Sequence, residues 1–322
     1  MKNTILTFCC ILLQQSLFAE NKDWLIDGSP YKTEVNLSSD KKQIELTNGL
    51  LRRSFSLTPN GATIALDNLM TGQNELRAVR PEAVLVINGK EYPVGGLEGQ
   101  PVHNFLTKDF LSGMQLCDSA FVLAGYTVSE TKERFPWKPN EAWISNRYPW
   151  PVPGKRITFT YRAPRKIVDE CKGLTIRIVY ELYDGAPILS KWIEIENNGQ
   201  KAVTLDSFKS EVLALVETAP KVHYGEPHEV RMMAQKTGYY TEDYRKRPVQ
   251  TDAPRDYIDR FTQLFVVTDY AMGGDMEAMK DNPAVRWVFD HPEYEFTGIR
   301  YYGQYKPARL EVTPVSYTHL TL

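Results

Sequence analysis

The chain has 322 residues, with 38 lysines and arginines against 40 aspartates and glutamates, a formal charge of −2. That balance excludes the basic footprint of a nucleic-acid-binding protein. Hydrophobic residues at 42% and charged residues at 24% are ordinary for a globular chain of this size and exclude disorder or low complexity.

Met1-Lys2-Asn3 is a short positive start, Ile5 to Leu13 is apolar, and Gln14 to Ala19 ends in a small residue before Glu20. This pattern reads as a secretory signal peptide over residues 1–19, cleaved after Ala19, so the mature protein is expected to be exported to the periplasm or beyond. The apolar run is too short to cross a bilayer of about 30 Å, and no later segment is long and uncharged enough, so no membrane span is expected. Cys9 follows Phe8 where a lipoprotein signal needs a small residue, which favours free export over lipidation. Cys117 and Cys171 are then the cysteines of the mature chain. They fit either one disulfide or two separate thiols, since spacing supplies no distance.

From residue 20 to 314 the chain reads as one β-sandwich domain, with 20–40 a poorly patterned lead-in. Early strands fit at Gln43 to Thr47, Leu51 to Leu57, Thr63 to Leu66 and Ala83 to Ile87. Asn88-Gly89, before Glu91 to Val94, is a two-residue hairpin signal. Arg156 to Tyr161 is a further strand. Leu174 to Tyr183 then alternates, with Leu174, Ile176, Ile178, Tyr180 and Leu182 opposite Thr175, Arg177 and Glu181, the period-two mark of a half-buried strand. Asp184-Gly185-Ala186-Pro187 supplies a turn, and Ile188 to Glu196 alternates again, so an antiparallel hairpin is expected. Beyond the turn at Asn197-Asn198-Gly199, Ala202 to Val216 is expected as the third strand of a meander. Later strands fit at Gln263 to Val267, Ala284 to Phe289 and Arg309 to Thr313, and Met276 to Met279 suits a short helix. Strands without intervening helices predict an all-β fold: a large antiparallel β-sandwich, or supersandwich, with few short helices. The last residues, Val315 to Leu322, read as the translation of a sequencing adapter, with natural sequence expected to stop near Pro314.

Two stretches interrupt the strands. Phe135-Pro136-Trp137-Lys138-Pro139 through Trp143 to Pro149-Trp150-Pro151-Val152-Pro153 gathers prolines and three of the six tryptophans, and cannot pair as a central strand. Trp137, Trp143 and Trp150 suit the apolar face of a sugar ring, with Arg147 and Asn146 able to bond its hydroxyls. For any single ring the favoured alternative is a wedge packed onto its own sandwich. Gly238 to Arg260, rich in tyrosine and charge, is expected as a long surface loop.

Phosphate loops, nucleophile elbows, dinucleotide fingerprints, zinc helices and EF-hand loops are absent from the sequence. His223 and His228 flank Glu226 in a Gly-Pro-containing loop that fixes no ligand geometry, so no metal site is expected.

Three segments carry a family resemblance: Asn48-Gly49-Leu50-Leu51-Arg52-Arg53-Ser54-Phe55, Ala62-Thr63-Ile64-Ala65-Leu66-Asp67-Asn68-Leu69-Met70-Thr71-Gly72, and Arg77-Ala78-Val79-Arg80-Pro81-Glu82-Ala83. They resemble the opening of large exported α-galactosidase-like proteins related to family 36 glycoside hydrolases. The hairpin from Tyr180 through Asp184-Gly185-Ala186-Pro187 to Trp192 and Asn197 is similar to the supersandwich that precedes their catalytic barrel. The resemblance implies a missing C-terminal (β/α)8 domain as partner, whose two aspartates hydrolyse α-galactosides with retention and without a cofactor. No catalytic residue is carried over, so this chain alone is expected to be inactive. It implies a supporting sandwich that lends a loop, at Trp137 to Trp150 or Tyr239 to Arg260, to the rim of a site for galactose-containing oligo- or polysaccharides.

Two rivals share the strand pattern. A stand-alone carbohydrate-binding or structural sandwich needs no barrel. An aldose mutarotase-like enzyme needs histidine and glutamate on inward strand positions, whereas His103, His223, His228 and His291 lie in turn-like contexts.

Overall fold

A computed structural model describes residues 23–101, 106–138, 149–163 and 171–215, together with strand segments 233–237, 240–243, 264–266, 285–289, 308–313 and 320–321. The first half of the chain runs β1 (Glu34–Leu37), β2 (Gln43–Thr47), β3 (Leu51–Ser56), β4 (Ala62–Asn68), β5 (Gln73–Asn74), β6 (Leu76–Ala78), β7 (Ala83–Ile87), β8 (Lys90–Val94), α1 (Lys108–Gly113) and β9 (Val122–Glu130). The second continues with β10 (Gly154–Arg162), β11 (Leu174–Tyr183), β12 (Leu189–Asn197), β13 (Thr204–Lys209), β14 (Glu211–Leu215), β15 (Met233–Thr237), β16 (Tyr240–Asp243), β17 (Leu264–Val266), β18 (Val285–Phe289), β19 (Ala308–Val312) and β20 (Leu320–Thr321). The fold is all-β, as the alternation predicts.

The sheets have orders β1-β2-β3-β4-β5, β12-β11-β10-β9, β20-β13-β7-β8, β18-β19-β14-β6 and β16-β15-β17. Among the described strands every pairing is antiparallel except β15 with β17. The main core lies between the inner face of the β9–β12 sheet and the facing strands β2, β3, β7 and β8. Phe55 of β3 meets Phe159 of β10 at 4.8 Å and Tyr180 of β11 at 4.9 Å between ring centroids, which identifies two layers closed face to face.

The local rules hold at the turns. Ile87 pairs with Lys90 around Asn88 and Gly89, whose φ angles of 48° and 74° are those of a type I′ hairpin. The β11–β12 turn is strapped from outside by the lead-in segment. A Cβ on Gly28 would lie 2.6 Å from the Gly185 carbonyl oxygen, so only glycine permits this approach. Asn48 Nδ2 donates to the carbonyls of Tyr183 at 2.8 Å and Ala186 at 2.7 Å, and Asp184 accepts from the Thr33 amide at 2.8 Å. The Asn48-Gly49 and Asp184-Gly185 motifs therefore act on each other.

Several expectations need correction. Ala202 to Val216 is not one strand of a meander: it breaks at Ser210 into β13, which joins β7, and β14, which joins β6 and β19. Alternation reports which side is buried, not which sheet receives the strand. Leu174 to Tyr183 is buried on both faces, with Val179 at 1% and Glu181 at 3% exposure, because β11 is central and the chain after β9 returns over it. Among the described residues a helix that the sequence reading did not anticipate lies at Lys108–Gly113, where the Thr107 side chain accepts from the Phe110 amide at 3.2 Å. The Met276 to Met279 helix falls outside the described residues. Part of the expected 238–260 loop, Tyr240–Asp243, pairs with β15 as a strand. Of the two arrangements the sequence left open, Cys117 and Cys171 are not joined by a disulfide, and Cys171 is buried.

Candidate functional site

Residues 131–138 and 149–153 join β9 to β10 without strand structure, as their prolines require. The segment is anchored at its base, where Thr131 Oγ1 donates to the Val152 carbonyl at 2.6 Å. Arg156 then ties it to the sheet, since its Nη2 donates to the Lys132 carbonyl at 3.2 Å while its Nε donates to Glu181 at 2.7 Å. Glu181 also accepts from the Tyr183 hydroxyl at 3.0 Å. The excursion thus lies over the outer face of the β9–β12 sheet.

Between excursion and sheet is a hollow of about 610 Å³ lined by Glu133, Arg134, Phe135, Arg156, Trp192 and Glu194. Its volume lies within the roughly 300–1,000 Å³ range of small-molecule sites. Trp192 is outward because β12 alternates, and the Arg134 and Arg156 guanidiniums lie 4.6 and 5.1 Å from its ring centroid. Its indole Nε1 donates to Glu194 at 3.1 Å. Across the hollow, Trp150 Nε1 donates to Glu133 at 3.2 Å. Phe135 stacks on Trp150 at 5.3 Å, and Trp150 on Trp137 at 5.2 Å, both tilted. Trp150 and Trp137 therefore stand behind the wall that Phe135 presents, and Phe135 keeps 48% of its surface exposed. Apolar rings beside fixed donors and acceptors are what a sugar ring needs: C–H faces for the rings, hydroxyls for the charges.

Of the residues singled out from sequence, Trp137 and Trp150 are brought together beside the hollow, whereas Trp143, Arg147 and Asn146 fall outside the described residues. So do His103, His223, Glu226, His228 and His291. Sequence reasoning missed Trp192, although a tryptophan on the polar face of an alternating strand is a legible signal. Among the described residues, no group of three or more His, Cys, Asp or Glu is arranged to hold a metal.

A second cluster lies on the inner side of the same sheet. Lys191 of β12 donates to Glu211 of β14 at 2.7 Å, and Arg53 of β3 reaches Glu211 at 2.8 Å and Glu82 at 3.6 Å. The Tyr180 hydroxyl donates to Glu82 and accepts from Arg53 Nη2, and Arg53 Nε donates to Thr63 Oγ1. Side-chain exposures are 3% for Arg53, 1% for Glu82, 8% for Lys191 and 12% for Glu211. Burial pushes the Glu211 carboxyl up, but Arg53 and Lys191 outweigh it and bring it down to about 2. Burial likewise opposes charge on Arg53, and Glu211, Tyr180 and Glu82 overcome it, so its guanidinium is held more firmly charged. For Lys191 burial prevails and its ammonium pKa is lowered. Burial first, then the neighbouring carboxylates, raise the Tyr180 hydroxyl well above its usual range. This set of two basic and two acidic side chains ties β3, β12 and β14 together.

No protein-family description matches the chain, and no curated protein matches it. Among solved structures, it is similar to the GH36 alpha-galactosidase AgaB from Geobacillus stearothermophilus, with 13% identity and a TM-score of 0.31. That match covers 53% of this chain and 24% of the other, so the chain spans about a quarter of that protein. A likeness at this level carries no weight for activity.

Proposed function

We propose that this chain is the non-catalytic N-terminal sandwich of an exported α-galactosidase-like glycoside hydrolase, rimming a galactoside site that a (β/α)8 domain completes. The observation that carries this reading is the hollow on the outer face of the β9–β12 sheet, where Phe135 and Trp192 stand among Arg134, Arg156, Glu133 and Glu194. Rings for C–H faces and paired charges for hydroxyls are the components of sugar contact. Two further features support it. The resemblance of the Asn48 to Phe55, Ala62 to Gly72 and Arg77 to Ala83 segments points to the barrel partner. Among the described residues, Glu211 and Tyr180, whose titration is strongly shifted, belong to the inner charge cluster and not to the hollow, which is compatible with a supporting role for this sheet.

The test is a titration of the full chain with galactose-containing oligosaccharides, followed by NMR. Weak binding, in the millimolar range expected when one wall of a composite site acts alone, is the predicted result, with at least tenfold loss on Trp192→Ala. Unchanged binding in the variant removes the hollow from the site, and no binding at all removes sugar contact. A stand-alone carbohydrate-binding sandwich shares the hollow but needs no barrel. Whether the gene encodes a (β/α)8 domain together with this sandwich separates the two.

A further inference from the structure

We infer that the hollow selects neutral, diol-bearing sugar rings and rejects uronic or sulfated ones, with Glu133 and Glu194 as the residues that discriminate. The inference deepens the sugar-contact reading and rests on it. Two guanidiniums, of Arg134 and Arg156, and two carboxylates, of Glu133 and Glu194, line the cavity. The Arg156 guanidinium already donates to the buried Glu181 carboxylate at 2.7 Å and to the Lys132 carbonyl at 3.2 Å. Its positive charge is therefore neutralised from beneath, and the lining carries no surplus to hold an anion.

The two glutamates are held in place in the same manner. Glu133 accepts the Trp150 indole N–H at 3.2 Å and Glu194 accepts the Trp192 indole N–H at 3.1 Å, each through one carboxylate oxygen, Oε1. Each has a second oxygen to accept from a ligand hydroxyl. A vicinal diol is the matching group, because one hydroxyl can accept from a guanidinium while its neighbour donates to a carboxylate. A sugar carboxylate or sulfate has no proton to donate there and meets two fixed carboxylates, a like-charge encounter that works as rejection.

The experiment compares the full chain's affinity for galacto-oligosaccharides and for galacturonate oligomers of the same length. The neutral ligand is expected to bind about tenfold more tightly, with the gap shrinking as salt rises. In Glu133→Gln/Glu194→Gln the gap is expected to close because the uronate gains. Single Glu194→Gln, on an exposed strand position, should close part of it, and an unchanged near-ultraviolet circular dichroism spectrum confirms the fold of each variant. Equal affinity for both ligands in the native chain, or an unchanged ratio in the variants, overturns the selectivity and leaves sugar contact standing. Failure of both ligands to bind overturns sugar contact, and the selectivity with it.

Discussion

Tyr180 and Lys191 face each other across β11 and β12, and their chain neighbours Glu181 and Trp192 lie on the opposite face of the same sheet. The inner pair belongs to a charge cluster with side-chain exposures from 1% to 12%; the outer pair belongs to a hollow whose wall includes a phenylalanine 48% exposed. Both regions are built from arginine, glutamate and an aromatic ring. What separates them is water. Inside, each charge depends on a partner because solvent cannot replace it, so the cluster serves cohesion. Outside, solvent can stand in for any partner, which leaves the same chemistry available to a ligand.

The sharpest way to break this contrast is to remove one inner partner. Glu211→Ala leaves Arg53 and Lys191 facing a single carboxylate and is expected to cost about 3–5 kcal/mol in urea unfolding, the usual penalty for breaking a buried pair. A loss below about 1 kcal/mol would show that water reaches the cluster.

Acid titration tests the same cluster with the chain intact. The Glu211 carboxyl is depressed from 4.5 to about 2, so its contribution is fully present above about pH 4.5 and is lost as pH falls toward 2. Stability of the native chain should drop across that window, and Glu211→Gln should drop less steeply. Parallel acid curves would assign the loss to other carboxylates.

Between the extremes lies the Arg156–Glu181 pair, with side-chain exposures of 15% and 3%. Arg156→Leu removes the charged partner of a buried carboxylate and the tie to Lys132, and about 1–3 kcal/mol is the expected loss. Because the excursion is released, sugar binding should fall in the same variant; retained binding would show that the hollow does not need this tie.

The smallest effect belongs to Arg177 and Glu196, exposed by 36% and 44%. Arg177→Gln should leave the unfolding midpoint unchanged, while the Glu196 carboxyl, now held low by its hydrogen bond to Arg177, should titrate higher by NMR.

Much of the fold was legible in the residues. Alternation marked β11 to the residue, because period two follows from strand geometry, and the weaker strand signals at Gln43 to Thr47 and Ala83 to Ile87 match β2 and β7. β9 was harder, since its burial is uneven along the strand and Val128 stays 45% exposed at the sheet edge. The inner cluster left a trace that was not followed: Lys191 falls on the apolar face with Leu189, Ile193 and Ile195, so it had to meet a buried anion. Which anion was not legible, because Glu82 and Glu211 are 109 and 20 residues away in the chain. Trp150, singled out as a candidate sugar contact, packs on Phe135 and donates its indole N–H to Glu133.

The sequence by itself determined the fold class, the hairpins at Asn88-Gly89 and Asp184-Gly185, and the break in pairing at the Pro-Trp excursion. Each follows from backbone preferences acting over a few residues. Tertiary structure alone decided that β13 and β14 leave for different sheets, that Arg53, Glu82, Lys191 and Glu211 converge, and that the excursion folds over Trp192 to form the hollow. Those outcomes depend on which distant surfaces meet, and side-chain periodicity records only that a face is buried, not what buries it.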